Sequence, residues 1–337
     1  MQRVSLDLTT PSEARPPGRR KAVTRRALGV LIALGLPVLT LPAWGQFAYV
    51  TNEKAGAISI IDSRTDQVAG RIVTGGIPRG TALAPDGKTL FVSEQEKGEL
   101  LYVDTAEKKV IARVAIGESP EGAYVSSDGK LVAIAVEKKN AVVFVDVEKK
   151  SIAFEVKVRG DNPEHPVFSP DGKWVYVGAE EDNKLDIIDV AKRQQVAQLQ
   201  VGQRPRGTAF TPDGRFAFTA CEQADTLYKI EVGAHTIAGK LKVGGRSNGV
   251  IVSPDGKTVY VSNGKDGTVM FVDVESFAVR ETVEVGRRPW NMALTADGGK
   301  LYVANGRSNS ISVIDSKTAR KISDIAVEEL PWGVVLR

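Results

Sequence analysis

From residue 47 onward, apolar and polar positions fall into short bursts, and none of them keeps a helical period. Residues 207–211, 215–220, 226–231 and 236–243 show the unit. Each is an alternating or continuous run rich in β-branched or aromatic residues, closed by a turn signal such as Pro212-Asp213-Gly214. Glycine at the end of that turn supplies the positive φ that the reversal demands. The pattern predicts four short strands in succession, then the same four again.

The repetition is exact enough to count. Pro78-Arg79-Gly80-Thr81-Ala82 has relatives beginning at Pro120, Pro163, Pro205, Ser247, Pro289 and Pro331, at steps of 42, 43, 42, 42, 42 and 42 residues. Tyr49-Val50-Thr51-Asn52 returns at Phe91, Ala133, Tyr176, Phe218, Tyr260 and Tyr302, and a strand-ending acid recurs from Asp62 to Asp315. Each series has seven members, and the one extra residue falls between Asp146 and Pro163. Four-stranded units of this length in sevenfold succession predict an all-β, seven-bladed β-propeller. Its chain opens with the second strand of a blade and finishes with the first strand of one. Pairing of the N- and C-terminal strands is therefore expected to close the ring and remove two exposed sheet edges.

Residues 1–45 read differently. A basic stretch including Arg19, Arg20, Lys21, Arg25 and Arg26 precedes an uncharged apolar run from Ala27 to Leu41 and the small-residue exit Ala43-Trp44-Gly45. That order describes a cleaved export signal. The run is shorter than the roughly 20 residues of a membrane span, so no stable span is expected after cleavage. Thr24-Arg25-Arg26-Ala27-Leu28 also fits a twin-arginine signal, and the route, Sec or twin-arginine, stays open. The expected organisation is a signal over 1–45 and a single propeller domain over 46–337, delivered to the periplasm.

Removing the signal changes the charge. Residues 1–45 contain seven Arg or Lys and two acids, so of 45 bases and 41 acids the remainder keeps 38 and 39. A nucleic-acid partner, which needs a basic surface against phosphates, is not expected. Cys221 is the single cysteine and His165 and His235 the only histidines. These counts exclude an intrachain disulfide, a C-x-x-C-H haem attachment and a multi-histidine metal centre.

Tyr49-Val50-Thr51-Asn52, Tyr260-Val261-Ser262-Asn263 and Tyr302-Val303-Ala304-Asn305, with their Ile-Asp endings and Ser-Pro-Asp-Gly turns, resemble the YVTN family of β-propeller repeat proteins. With the export signal and seven units, the chain looks most like the periplasmic propellers associated with pyrroloquinoline-quinone (PQQ)-dependent alcohol catabolism. The resemblance implies a periplasmic quinoprotein dehydrogenase or transporter component as partner.

Strand alternation places the loop before each first strand and the loop after each second strand on one face. The residue after the recurring proline should line the channel mouth there: Arg79, Glu121, Glu164, Arg206, Asn248, Trp290 and Trp332. Glycine follows at five of these places, where converging backbones leave no room for a side chain; His165 and Asn291 are the exceptions. Flat indoles beside charged groups suit a small-molecule pocket, and the same indoles also suit a plug. His165 reads either as a ligand or acid/base group beside Glu121 and Glu164, or as a hydrogen-bonded side chain in a loop that compensates the insertion. His235 is expected on the opposite face, solvated. The acids after the second strands, among them Glu53, Glu137, Glu180 and Glu222, alternate with lysines and read as a solvated rim rather than a calcium site. Cys221 reads as packing.

No catalytic residue, metal site or cofactor is assigned. The leading expectation is a non-catalytic binding or accessory propeller that meets a small molecule or a partner protein at its mouth. The alternatives are a propeller hydrolase of the lactonase kind or a haem-handling protein, either using His165 and Glu164. A purely structural repeat protein is the third reading.

Overall fold

The computed structural model describes residues 47–336, and the export signal expected at 1–45 lies outside them. The described residues form seven four-stranded antiparallel sheets. In chain order, blades 1 to 6 occupy residues 78–115, 120–157, 163–200, 205–242, 247–284 and 289–326. Blade 7 combines strand Pro331–Leu336 with three strands spanning 47–73. Tyr49 pairs with Val335 and Val50 with Val334, so the ring closes through the two ends of the described chain, as the repeat register requires.

Within each blade, burial follows strand position. The second and third strands are buried nearly throughout, as in Leu131–Val136 and Ala141–Asp146, whereas the outermost strand is mostly exposed, as in Gln67–Val73. The core sits between neighbouring blades: Phe91, Leu100 and Tyr102 of blade 1 pack on Ile134, Val136 and Val143 of blade 2. Each such fully buried side chain contributes about 1.5–3 kcal/mol of hydrophobic stabilisation, repeated around seven interfaces.

The turn chemistry read from the sequence is present. Gly87 and Gly214 adopt φ of 74° and 69°, and Asp86 and Asp213 accept the backbone N–H of Lys88 and Arg215 at 2.9 and 3.0 Å. The strand-ending acids act alike: Asp62 accepts from Arg64 N and Asp104 from Ala106 N, each at 2.9 Å.

Blade 3 departs from the others. Its first strand shrinks to Val167–Phe168, preceded by a lone bridge between Pro163 and Ala179. Pro166 stands where blade 4 has Thr208, and with no N–H it contributes nothing to the ladder. Glu164 still donates its N–H to Gly178 O at 3.0 Å, and the regular ladder resumes only at Val167. One short 3-10 helix, Glu137–Lys139, follows the second strand of blade 2. Among the described residues no helix is long and apolar enough to cross a membrane.

His235 is not simply solvated. Its Nδ1 lies 2.8 Å from the Tyr176 hydroxyl, and its ring packs edge-on to Trp174 at 4.7 Å. Burial holds its pKa below the ordinary histidine value. The turn between the outer strands of blade 4 folds back on blade 3, which repeat position alone did not reveal.

The channel mouth as candidate functional site

The seven first strands approach one another at the mouth so closely that side chains have no room. A Cβ on Gly80 would stand 2.4 Å from Ala123 N, and one on Gly249 2.2 Å from Trp290 O. Hydroxyls latch neighbouring blades there. Ser93 Oγ accepts from Gly80 N at 2.8 Å and donates to Glu121 O at 2.5 Å, and Thr51 and Ser262 make the equivalent bridges to Arg79 O and Trp290 O. The sequence carried this signal as the Ser or Thr near the end of the second strand, but only three blades keep it.

His165 reaches across the ring. Its imidazole stacks on Trp332, with centroids 5.5 Å apart and planes 6° apart, and its Nδ1 meets the Tyr124 hydroxyl at 2.9 Å. Only 2% of His165 and 7% of Trp332 remain exposed. Burial lowers the His165 pKa to about 4, against the pull of Glu164, so the ring is neutral at pH 7. Asn291 Nδ2 donates to Trp332 O at 3.0 Å. Trp332 is thus the plug of the channel. Trp290 behaves differently: it is half-buried, lies over Gly306, and faces the Arg288 guanidinium at 5.9 Å.

Arg79, Glu121, Glu164 and Arg206 are drawn into ion pairs. Arg79 joins Glu53 (2.6 Å) and Glu121; Arg206 joins Glu164, Glu222 (3.0 Å) and Glu180 (3.3 Å). Arg204 adds a contact to Glu180, and Arg288 one to Glu222 at 2.6 Å. Glu53, Glu121, Glu164, Glu180 and Glu222 are all buried. This overturns the solvated rim expected for Glu53, Glu180 and Glu222. The loops after the second strands lie over the ring's arginines, and repeat spacing gave their position but not their depth. Glu137 is half-buried, its Oε2 accepting from Ser119 Oγ at 2.5 Å. Burial, then the charge of Glu164, drives the Glu121 pKa well above the carboxylate range despite Arg79. Asn248 is buried beside this network, 5% exposed.

Open space lies on both sides of this layer. Inside the ring, on the side of the Asp-Gly turns, a cavity of about 510 Å³ ends at Trp332 and is lined by Tyr124, Phe168, Phe210, Met292 and aliphatic residues. On the mouth face, a cleft of about 720 Å³ between blades 5 and 6 is lined by Arg246, Lys265, Arg287, Arg288 and Arg307 with glycine backbone. Asp266 and Glu284 are its only acids, so the cleft is basic. The sequence showed these residues one by one, as Asn-Gly-Lys and Asn-Gly-Arg loops, without their convergence.

Comparison with known proteins bears on the fold. The family described as "Lactonase, 7-bladed beta-propeller" matches residues 191–326, and "Cytochrome D1 heme domain" matches 131–223. The chain is similar to hydrazine synthase of Kuenenia stuttgartiensis at 23% identity, TM-score 0.73, over 79% of this chain and 91% of that one. It is also similar to a functionally unknown protein of Desulfotomaculum acetoxidans DSM 771 at 18% identity, TM-score 0.74, over 86% and 98%. A search of curated proteins gives no match. These likenesses define a seven-bladed propeller.

The mouth does not suit haem. His165 has one nitrogen on Tyr124, the other 3.9 Å from a Glu164 oxygen, and its ring under Trp332. The cavity below offers no cationic group for a haem carboxylate. Cys221 is fully buried, its thiol pushed up to about 12 by burial, and is no nucleophile.

Proposed function

We propose that the protein is a non-catalytic binding propeller of the periplasm, taking a carboxylate-bearing small molecule at its mouth in the service of a PQQ-dependent alcohol dehydrogenase or an associated transporter. The observation that carries this reading is the basic cleft beside Trp290. Five cationic residues line it against two acids, and one of them, Arg288, has its guanidinium 5.9 Å from the half-buried Trp290 ring. Guanidinium groups grip carboxylates in a planar fork and indoles stack on flat ligands. The pathway assignment rests on the YVTN-type repeats and the export signal. The ion-paired centre supports a non-catalytic role, because Glu121, Glu164, Glu180 and Glu222 each have an oxygen engaged by an arginine.

The test is equilibrium titration with PQQ, which carries carboxylates on a flat ring system, and with short-chain acids. Tryptophan fluorescence should change saturably and recover in high salt. An unchanged signal across all these compounds counts against the proposal.

The lactonase match favours a second reading, a lactone hydrolase. That match, residues 191–326, includes Arg206 but not Glu121, Glu164 or His165. Loss of lactone hydrolysis in Glu164→Gln would support it.

A further inference from the structure

Position in the repeat isolates one unusual junction. Each blade contributes two mouth residues: the one after the recurring proline and the one after its second strand. These pairs are Arg79 and Gln95 in blade 1, Arg206 and Glu222 in blade 4, and Trp290 and Gly306 in blade 6. Only blades 2 and 3, which are neighbours, place an acid at both positions: Glu121 with Glu137, and Glu164 with Glu180. Four carboxylates therefore meet across one blade interface.

Their surroundings leave them under-compensated. The mouth network holds six carboxylates, adding Glu53 and Glu222, against the guanidiniums of Arg79, Arg204, Arg206 and Arg288. His165 is neutral there. Arg206 engages Glu164 through Oε1, while Arg79 and Gln95 engage Glu121 through Oε1. The second oxygen of each, Glu121 Oε2 and Glu164 Oε2, is buried without a hydrogen-bond partner, in residues 1% and 2% exposed. A buried carboxylate oxygen with no donor is costly. Glu121 also feels the charge of both Glu164 and Glu137.

We propose that Glu137, Glu164 and Glu180, with the charge of Glu121 behind them, form a binding site for a hard divalent cation, calcium above the smaller magnesium. One oxygen from each of Glu137, Glu164 and Glu180 already lies within 4.8 Å of the others. Calcium accepts uneven sets of six to eight oxygens at about 2.3–2.6 Å, whereas magnesium demands a near-ideal octahedron at about 2.0–2.1 Å. An all-oxygen, irregular donor set fits calcium's flexible coordination. His165 gives its Nδ1 to Tyr124, and the group of mutually close donor atoms contains carboxylate oxygens and no imidazole nitrogen, which favours a hard cation over zinc. A cation held by Glu137 of blade 2 and by Glu164 and Glu180 of blade 3 would staple the two blades where the first strand of blade 3 is shortest. Protons held by the cluster must leave as the ion enters.

The experiment is calorimetric titration of the chelator-treated exported protein with calcium chloride, repeated with magnesium chloride and in buffers of different ionisation enthalpy. The expected result is one calcium per chain, proton release, a raised thermal midpoint and weaker magnesium binding. Glu164→Gln and Glu137→Gln should each weaken calcium binding about tenfold or more, as loss of a charged ligand from an oxygen site does. Glu137 is half-buried, so its variant keeps the fold testable if Glu164→Gln does not. Absence of calcium heat at millimolar concentration would overturn the proposal. So would binding that survives both substitutions, or a Glu164→Gln protein that is stabilised with no calcium dependence in the parent, which is the signature of a shared proton.

Discussion

The imidazole of His165 lies parallel to the indole of Trp332, 5.5 Å away, although blades 3 and 7 stand on opposite sides of the ring. One contact therefore spans the channel and separates a charged mouth from an apolar cavity of about 510 Å³. The only blade to replace the crowded glycine with histidine does so opposite the closure strand.

Truncating Trp332 to alanine removes this plug. The expected cost is about 3–5 kcal/mol, as for other large buried aromatics, read as a lower urea midpoint with little change in slope. Trp332→Phe keeps part of the stack and should lose less.

His165 and Glu121 make stability depend on pH with opposite signs. His165 has a folded pKa of about 4, below its unfolded value, so its contribution is complete above about pH 6.5 and falls away toward pH 4. Glu121 has a folded pKa raised by burial and by Glu164, so its contribution is greatest below its unfolded pKa and is lost as pH rises through the folded one. In metal-free buffer, His165→Asn should flatten the acid limb of the urea midpoint against pH, and Glu121→Gln the alkaline limb.

Arg206 touches Glu164, Glu180 and Glu222 together and its side chain is 17% exposed. Replacing it with methionine strands the buried Glu164 and leaves Glu180 and Glu222 with one arginine each, Arg204 and Arg288, a loss of about 3–5 kcal/mol. Lys54→Met, which breaks an exposed pair with Glu329, should leave the midpoint unchanged. Equal effects from the two would mean that the mouth network is as wet as the outer surface.

Much of this was legible in the sequence because the propeller is periodic. A strand-ending acid repeated seven times, with a turn signal and a proline each repeated six times at the same spacing, gives blade number, strand order, closure and which loops share a face. Depth was not legible. Glu180 and Glu222 look like members of charged loops, yet Arg204, Arg206 and Arg288 cover and neutralise them. Nor does spacing say that Trp332 turns inward onto His165 while Trp290 lies over Gly306, since both occupy the same repeat position. Those choices depend on what faces each residue from another blade, and that is where the repeats differ.

Closure makes its own prediction. A chain ending at residue 330 leaves strand Phe47–Asn52 without the partner it has in Pro331–Leu336, and the open edges invite intermolecular pairing. Light scattering should show oligomers at concentrations where the full chain stays monodisperse and folded.

The central claim is a binding site for a carboxylate-bearing ligand in the basic cleft beside Trp290. The most direct measurement is fluorescence titration of the exported protein with PQQ, run in parallel on a doubly substituted Arg287→Glu, Arg307→Glu chain, with lactone hydrolysis followed in the same samples. The account predicts a saturable change that the double variant loses, and no turnover by either protein. A titration unaffected by the double substitution, or hydrolysis by the parent chain, would contradict it.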